Sequence, residues 1–164
     1  MKLRILFGTV ALILIGSVSH SALQAKQVAA APAAQAAAPA AQAVAPGGAK
    51  TVWDGVFSKE QADRGAATYK TSCSECHGND LAGDGFAPAL TGAEFMGNWN
   101  DLTVGDLFER IRISMPPTGP SGVTPAQKAD IVAHLMNQNK FPAGKAELEP
   151  KTEALKLIKI EMKK

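Results

Sequence analysis

The chain has 164 residues, 17 Lys/Arg against 15 Asp/Glu, 46% hydrophobic but only 5% aromatic residues, and two cysteines. That length allows one ordinary domain with some chain left over. The net charge of +2 is unevenly spread: residues 51–149 carry 8 Lys/Arg and 13 Asp/Glu, so −5. An acidic domain argues against nucleic acid, whose phosphates are bound by clustered Lys and Arg, and suits steering by a basic patch on a protein partner.

Residues 1–25 read as a signal peptide or N-terminal anchor. Lys2 and Arg4 precede an apolar run from Ile5 to Ile15, broken only by Gly8 and Thr9, and small residues follow through Ala22 and Ala25. The run is short for a membrane span, which wants about 20 apolar residues. Cleavage after Ala22 or Ala25 and retention as a membrane tether both remain open. Residues 26–50 are Ala/Pro/Gln-rich, with Ala31-Pro32-Ala33-Ala34-Gln35 loosely repeated as Ala38-Pro39-Ala40-Ala41-Gln42. Such a segment cannot bury a core, and Pro32, Pro39 and Pro46 interrupt any long helix, so a disordered linker is expected.

Residues 51–149 form the expected domain. Ser58 with Gln61 is a capping box that starts a helix running to about Thr71. Ala62, Ala66 and Tyr69 share one face of it, and Gly65 beside them lets another helix approach closely. Cys73-Ser74-Glu75-Cys76-His77 follows directly and contains both cysteines. C-x-x-C-H is the pattern of c-type haem attachment: two thiols add to the two vinyl groups, and the next residue supplies the proximal imidazole. A thioredoxin-like dithiol would need a βαβ setting, and a zinc site would need a second ligand pair that His134 alone cannot provide.

Residues 78–100 hold five glycines and no helical period, so they are expected to be loop. Thr103 with Asp106 opens a second helix, with Leu107, Phe108 and Ile111 inward, stopped by Pro116-Pro117. Thr124-Pro125-Ala126-Gln127 opens a third, with Pro at the first helical position and a buried stripe of Ile131, Val132, Leu135 and Met136. Three main helices and loops, without a convincing strand, make the fold all-α. Residues 150–164 are a charged tail whose partial alternation suggests an extended segment laid across the domain, with a short helix as the alternative.

An electron-carrying haem wants a second axial ligand. Met96, Met115, Met136, Met162 and His134 are the candidates. Met115 stands out because Pro116-Pro117 would stiffen the loop that holds its sulfur. The usual role of any single Met is core filling.

Taken in order, Gly65, Tyr69, Cys73-Ser74-Glu75-Cys76-His77-Gly78, Pro88-Ala89-Leu90, Leu107-Phe108 and Ser114-Met115-Pro116-Pro117 resemble the class I c-type cytochromes. The likeness covers roughly residues 52–144. It implies a cytochrome c-like fold around one haem c attached through Cys73 and Cys76, with His77 proximal and Met115 distal. It further implies that the Pro88 carbonyl accepts from the proximal imidazole and that Leu90 and Phe108 pack on the haem. Trp99 is then either a propionate donor or a plain packing residue. Gly65 and Tyr69 match first-helix positions that cross the last helix, where His134 stands in place of the family's frequent aromatic.

The function expected is that of an electron carrier rather than an enzyme, with no catalytic residues. It would be exported to the periplasm, either free or anchored through residues 1–25, monomeric, and served by transient protein redox partners such as a quinoprotein dehydrogenase and a terminal oxidase. The alternatives are a haem enzyme or gas sensor with an open distal site, and a fixed electron-transfer subunit of a larger complex.

Overall fold

The computed structural model describes residues 50–163. The expected signal or anchor and all of the expected linker but Lys50 lie outside the described residues.

Six helices run in the order α1 (Lys59–Ser72), α2 (Ser74–His77), α3 (Gly92–Trp99), α4 (Val104–Ser114), α5 (Pro125–Gln138) and α6 (Thr152–Leu155), with a 3-10 turn at Pro120–Gly122. None of the described helices is long and apolar enough to cross a membrane. The three long helices start at the caps legible in the sequence. Ser58, Thr103 and Thr124 are extended, and each hydroxyl accepts from the backbone N–H three residues on. Asp106 and Gln127 return the bond to complete reciprocal capping boxes. Thr103 holds the Asp106 carboxyl below the usual carboxylate range, through its hydroxyl and then its backbone N–H. Gln61 departs from the expected box. Its side chain is buried and bonds instead to the backbone of Leu148, accepting from N–H at 2.8 Å and donating to C=O at 3.0 Å.

The α1–α5 crossing is the most extensive helix contact. Gly65 makes it possible, because a Cβ there would overlap the backbone carbonyl of Asp130. Tyr69 and His134 meet across it with ring centroids 5.3 Å apart. Arg64 reaches Asp130 on α5 and Glu147 beyond it, at 3.1 and 2.9 Å. The larger apolar core gathers Val52, Phe57, Phe95, Val104, Leu107, Phe108, Val132, Met136, Leu155 and Ile160.

Two features differ from the sequence expectation. The stretch expected to be all loop contains α3. Thr91 offers it no side-chain cap, so the local signal is weak. The helix is fixed instead by Phe95, 0% exposed, and by Asn139, whose side-chain oxygen accepts from Gly92 N–H at 3.0 Å. A short strand pair is also present: β1 (Lys50–Thr51) runs parallel to β2 (Ile158–Lys159). The final segment is thus part helix and part extended, and it is built into the core. Leu155 and Ile160 are buried, Trp53 donates its indole N–H to Glu161 C=O at 2.8 Å, and Ile160 N–H donates to Leu102 C=O at 2.8 Å.

Candidate functional site

The Cys73-to-His77 motif forms one helical turn. The Cys73 carbonyl accepts from the N–H of both Cys76 (3.3 Å) and His77 (3.0 Å). The two cysteines are three positions apart, a spacing that brings side chains to one face of a helical turn, and the imidazole follows directly. Cys73 is also the C-cap of α1 and packs against a smaller apolar cluster; Cys76 is exposed. Burial pushes the Cys73 thiol up to about 11. At neutral pH it is a protonated, apolar group, unlike the low-pKa thiolate of a dithiol oxidoreductase.

His77 is aimed by the following loop. Its Nδ1 lies 3.0 Å from the carbonyl of Pro88. A carbonyl only accepts, so Nδ1 carries the proton and the Nε2 lone pair is left free for a metal. Pro88 is held by a tightly folded loop. Gly83 has φ +74°, and a Cβ there would meet the Ala87 carbonyl, so glycine is required. Asp84 Oδ1 accepts from Phe86 and Ala87 N–H at 2.9 and 2.7 Å, which holds its carboxyl below the usual range. Leu90 N–H donates to Leu81 C=O at 2.8 Å. The Tyr69 hydroxyl donates to the Gly78 carbonyl at 2.8 Å, tying the turn after His77 back to α1.

Around Cys73, the smaller cluster consists of Tyr69, Leu81, Val123, Ile131 and Leu135, with Leu90 and Ile111 half-buried against it. Trp99 and Phe108 belong with the larger core, Phe108 at 1% exposure and Trp99 half-buried; Ile111 touches both clusters. Met115 caps the C-terminus of α4, its N–H donating to Ile111 C=O at 3.1 Å, and it is half-buried. The apolar side chains of Phe86, two residues before Pro88, and Ile113, two before Met115, are 100% and 59% exposed.

The donor set suits haem c. Two thiols on one helical turn, an imidazole with Nε2 free and a thioether accompany apolar surface that the chain's own side chains leave half-covered. Among the described residues no His/Cys/Asp/Glu cluster suits a bare metal ion. Two residues of the site's scaffold carry little sequence signal. Asn139, at the end of α5, donates to Leu90 C=O at 2.9 Å while accepting from Gly92 N–H, and so fixes the segment beyond Pro88. Lys128 looks like an ordinary helix-surface lysine in sequence, yet it is 2% exposed.

Comparison with known families finds a match. The family described as cytochrome C oxidase, cbb3-type, subunit III is similar to residues 60–135, a span that includes the Cys73-to-His77 turn, Pro88 and Met115. No curated protein and no solved structure matches the chain.

Proposed function

We propose that this chain, whose residues 60–135 are a class I c-type cytochrome domain with an all-α, cytochrome c-like fold, is an exported monohaem carrier of single electrons between protein redox partners. Haem c supplies, when bound, one reversible one-electron couple. The chain's own residues set its attachment, potential and access. Cys73 and Cys76 would hold it covalently, so that a small domain could not lose it. His77 would bind through Nε2. The Nδ1–H bond to Pro88 fixes the ring and makes Nε2 a stronger donor, in the way that outer hydrogen bonds tune metal-bound imidazoles. Met115 would supply a thioether, which favours the reduced state and raises the potential. Both donors stand on fixed elements, one on a helical turn and one at a helix terminus, so little rearranges when the charge changes. Leu90, half-buried beside Cys73, would exclude water from the haem, whereas Phe108, expected to pack on it, is already enclosed by the larger core; Trp99, packed against that core, would be either a propionate donor or a packing residue.

The observation that carries this reading is the His77–Pro88 hydrogen bond at 3.0 Å. It sets the tautomer a proximal ligand needs, immediately after the attachment turn. Docking with partners is transient and small in area, steered by the acidic domain toward basic surfaces. A quinoprotein dehydrogenase as donor and a terminal oxidase as acceptor fit such a periplasmic carrier. An uncleaved N-terminal anchor with the Ala/Pro/Gln linker would raise its effective concentration near membrane partners. A second reading, a fixed subunit of a larger complex, is favoured by the match to an oxidase-subunit family; co-purification with membrane redox complexes distinguishes it from a free shuttle.

Absorption spectra of the exported protein, oxidised and reduced, with and without carbon monoxide, test the assignment. Low-spin spectra, a weak far-red sulfur-to-iron band and no carbon monoxide adduct are expected. High-spin iron that readily takes carbon monoxide would overturn the carrier reading in favour of an enzyme or gas sensor with an open distal site.

A further inference from the structure

The helix that ends at Met115 has an unusual terminus. In an α-helix each carbonyl accepts from the N–H four residues on. For Arg112 that residue is Pro116, which has no N–H to give. The sequence that stops α4 therefore orphans the Arg112 carbonyl, three residues before Met115. Its partner comes from α5. Lys128 runs beneath the loop, and its ammonium donates to the Arg112 carbonyl at 2.9 Å and to the Pro120 carbonyl at 2.6 Å.

These two carbonyls bracket Met115 on both sides. Between them the loop is closed by a turn, Gly119 N–H to Pro116 C=O at 3.1 Å, and a second turn, Gly122 N–H to Gly119 C=O at 3.0 Å, spans Pro120. A single side chain thus joins the end of α4 to the far end of the loop and fastens both to α5. The positive charge also faces the negative end of the α4 dipole. Burying a lysine is costly unless its ammonium is satisfied. Desolvation, and then the nearby Arg112, lower the Lys128 pKa. A methionine or leucine would fill the same space without that cost, so the retained ammonium points to the bonds it makes.

We propose that Lys128 is a positioning residue for Met115: its clamp across residues 112–120 sets how firmly the thioether is presented as an axial ligand. This rests on Met115 being that ligand. Without the clamp the haem remains attached through Cys73 and Cys76, but the loop opens more often and an external ligand competes better with the sulfur.

The test uses the oxidised holoprotein with imidazole as the competing ligand, well below the melting temperature. Lys128→Met keeps the apolar stem and removes the donors; Lys128→Gln is neutral but keeps two. Apparent imidazole affinity should rise about tenfold or more in Lys128→Met, since hydrogen bonds to a charged group are among the stronger ones, and by less in Lys128→Gln. Ile160→Ala serves as the control, because it weakens the fold at the opposite end of α4 and should leave imidazole affinity unchanged. Amide exchange of Met115 and Gly119, a readout independent of the iron, should quicken in both Lys128 variants. Should Lys128→Met not mature, Lys128→Gln carries the same comparison. Wild-type imidazole affinity and exchange in the Lys128 variants, or an equal rise in Ile160→Ala, would overturn the proposal. Met115→Ala separates the underlying reading: if the far-red band survives that change, the ligand assignment has failed, whatever the loop exchange shows.

Discussion

Gly65→Ala is the sharpest perturbation of the scaffold. Gly65 lies on α1 where α5 crosses it, and a Cβ there would fall inside contact distance of the Asp130 carbonyl carbon and oxygen and 3.0 Å from His134 Cβ. The obstruction is backbone, so no side chain can swing away; α1 and α5 must part by about 1 Å in a close-packed interior. Overpacking of this kind costs about 1–3 kcal/mol, and the upper end applies because the crossing also carries the tilted Tyr69–His134 ring contact and the Arg64–Asp130 pair. Alanine returns about 1 kcal/mol as the better helix former. The net loss is then about 2 kcal/mol, or about 8–16 °C in Tm for a domain near 100 residues. Gly97→Ala in α3 is the matched control. Nothing lies within 4 Å of its Cβ position, so only the propensity gain of about 0.5–1 kcal/mol remains. Thermal and urea unfolding of the two holoproteins read both effects. A Gly65→Ala variant as stable as wild type, or stabilised like Gly97→Ala, would refute the close-crossing argument.

Two further outcomes follow from packing and protonation. Ile160→Ala should cost about 2–5 kcal/mol, the usual range for emptying a buried aliphatic site, because Ile160 is 0% exposed although it lies in what reads as a charged tail; urea unfolding with an unchanged haem spectrum checks it. His134 is buried at the crossing, and desolvation lowers its pKa from 6.5, partly opposed by Asp63. The unfolded chain therefore takes up this proton first as pH falls. Full stability is present above pH 6.5 and declines below it until the folded form also protonates. His134→Phe should flatten that part of the stability-versus-pH curve, and an unchanged slope would show that other groups cause it.

What the sequence made legible is local. Ser58, Thr103 and Thr124 announce helix starts because a cap is satisfied within three residues, and the Cys73-to-His77 turn carries its chemistry in adjacent positions. What it hid is long-range. Gln61 reads as half of a capping box, but its bonds go to Leu148, 87 positions away. The α3 helix begins at a glycine with φ +70° and no side-chain cap, and is held by Asn139 from the end of α5. Ile158 and Lys159 are extended through partners distant in sequence, β1 on one side and a bridge from Lys159 to Thr103 on the other. Lys128 could have been suspected from Pro116, since a proline four residues beyond a helical carbonyl leaves an acceptor to satisfy; which side chain would reach it depends on how α4 and α5 pack.

A potentiometric titration of the wild-type protein beside Met115→Ala tests the proposed one-electron carrier with one haem held between His77 and Met115. A single wave of about 59 mV per tenfold change in the oxidised-to-reduced ratio is expected, with the Met115→Ala wave displaced to lower potential and the reduced variant binding carbon monoxide. An unchanged potential without carbon monoxide binding in Met115→Ala, or more than one wave in the wild-type protein, would contradict it.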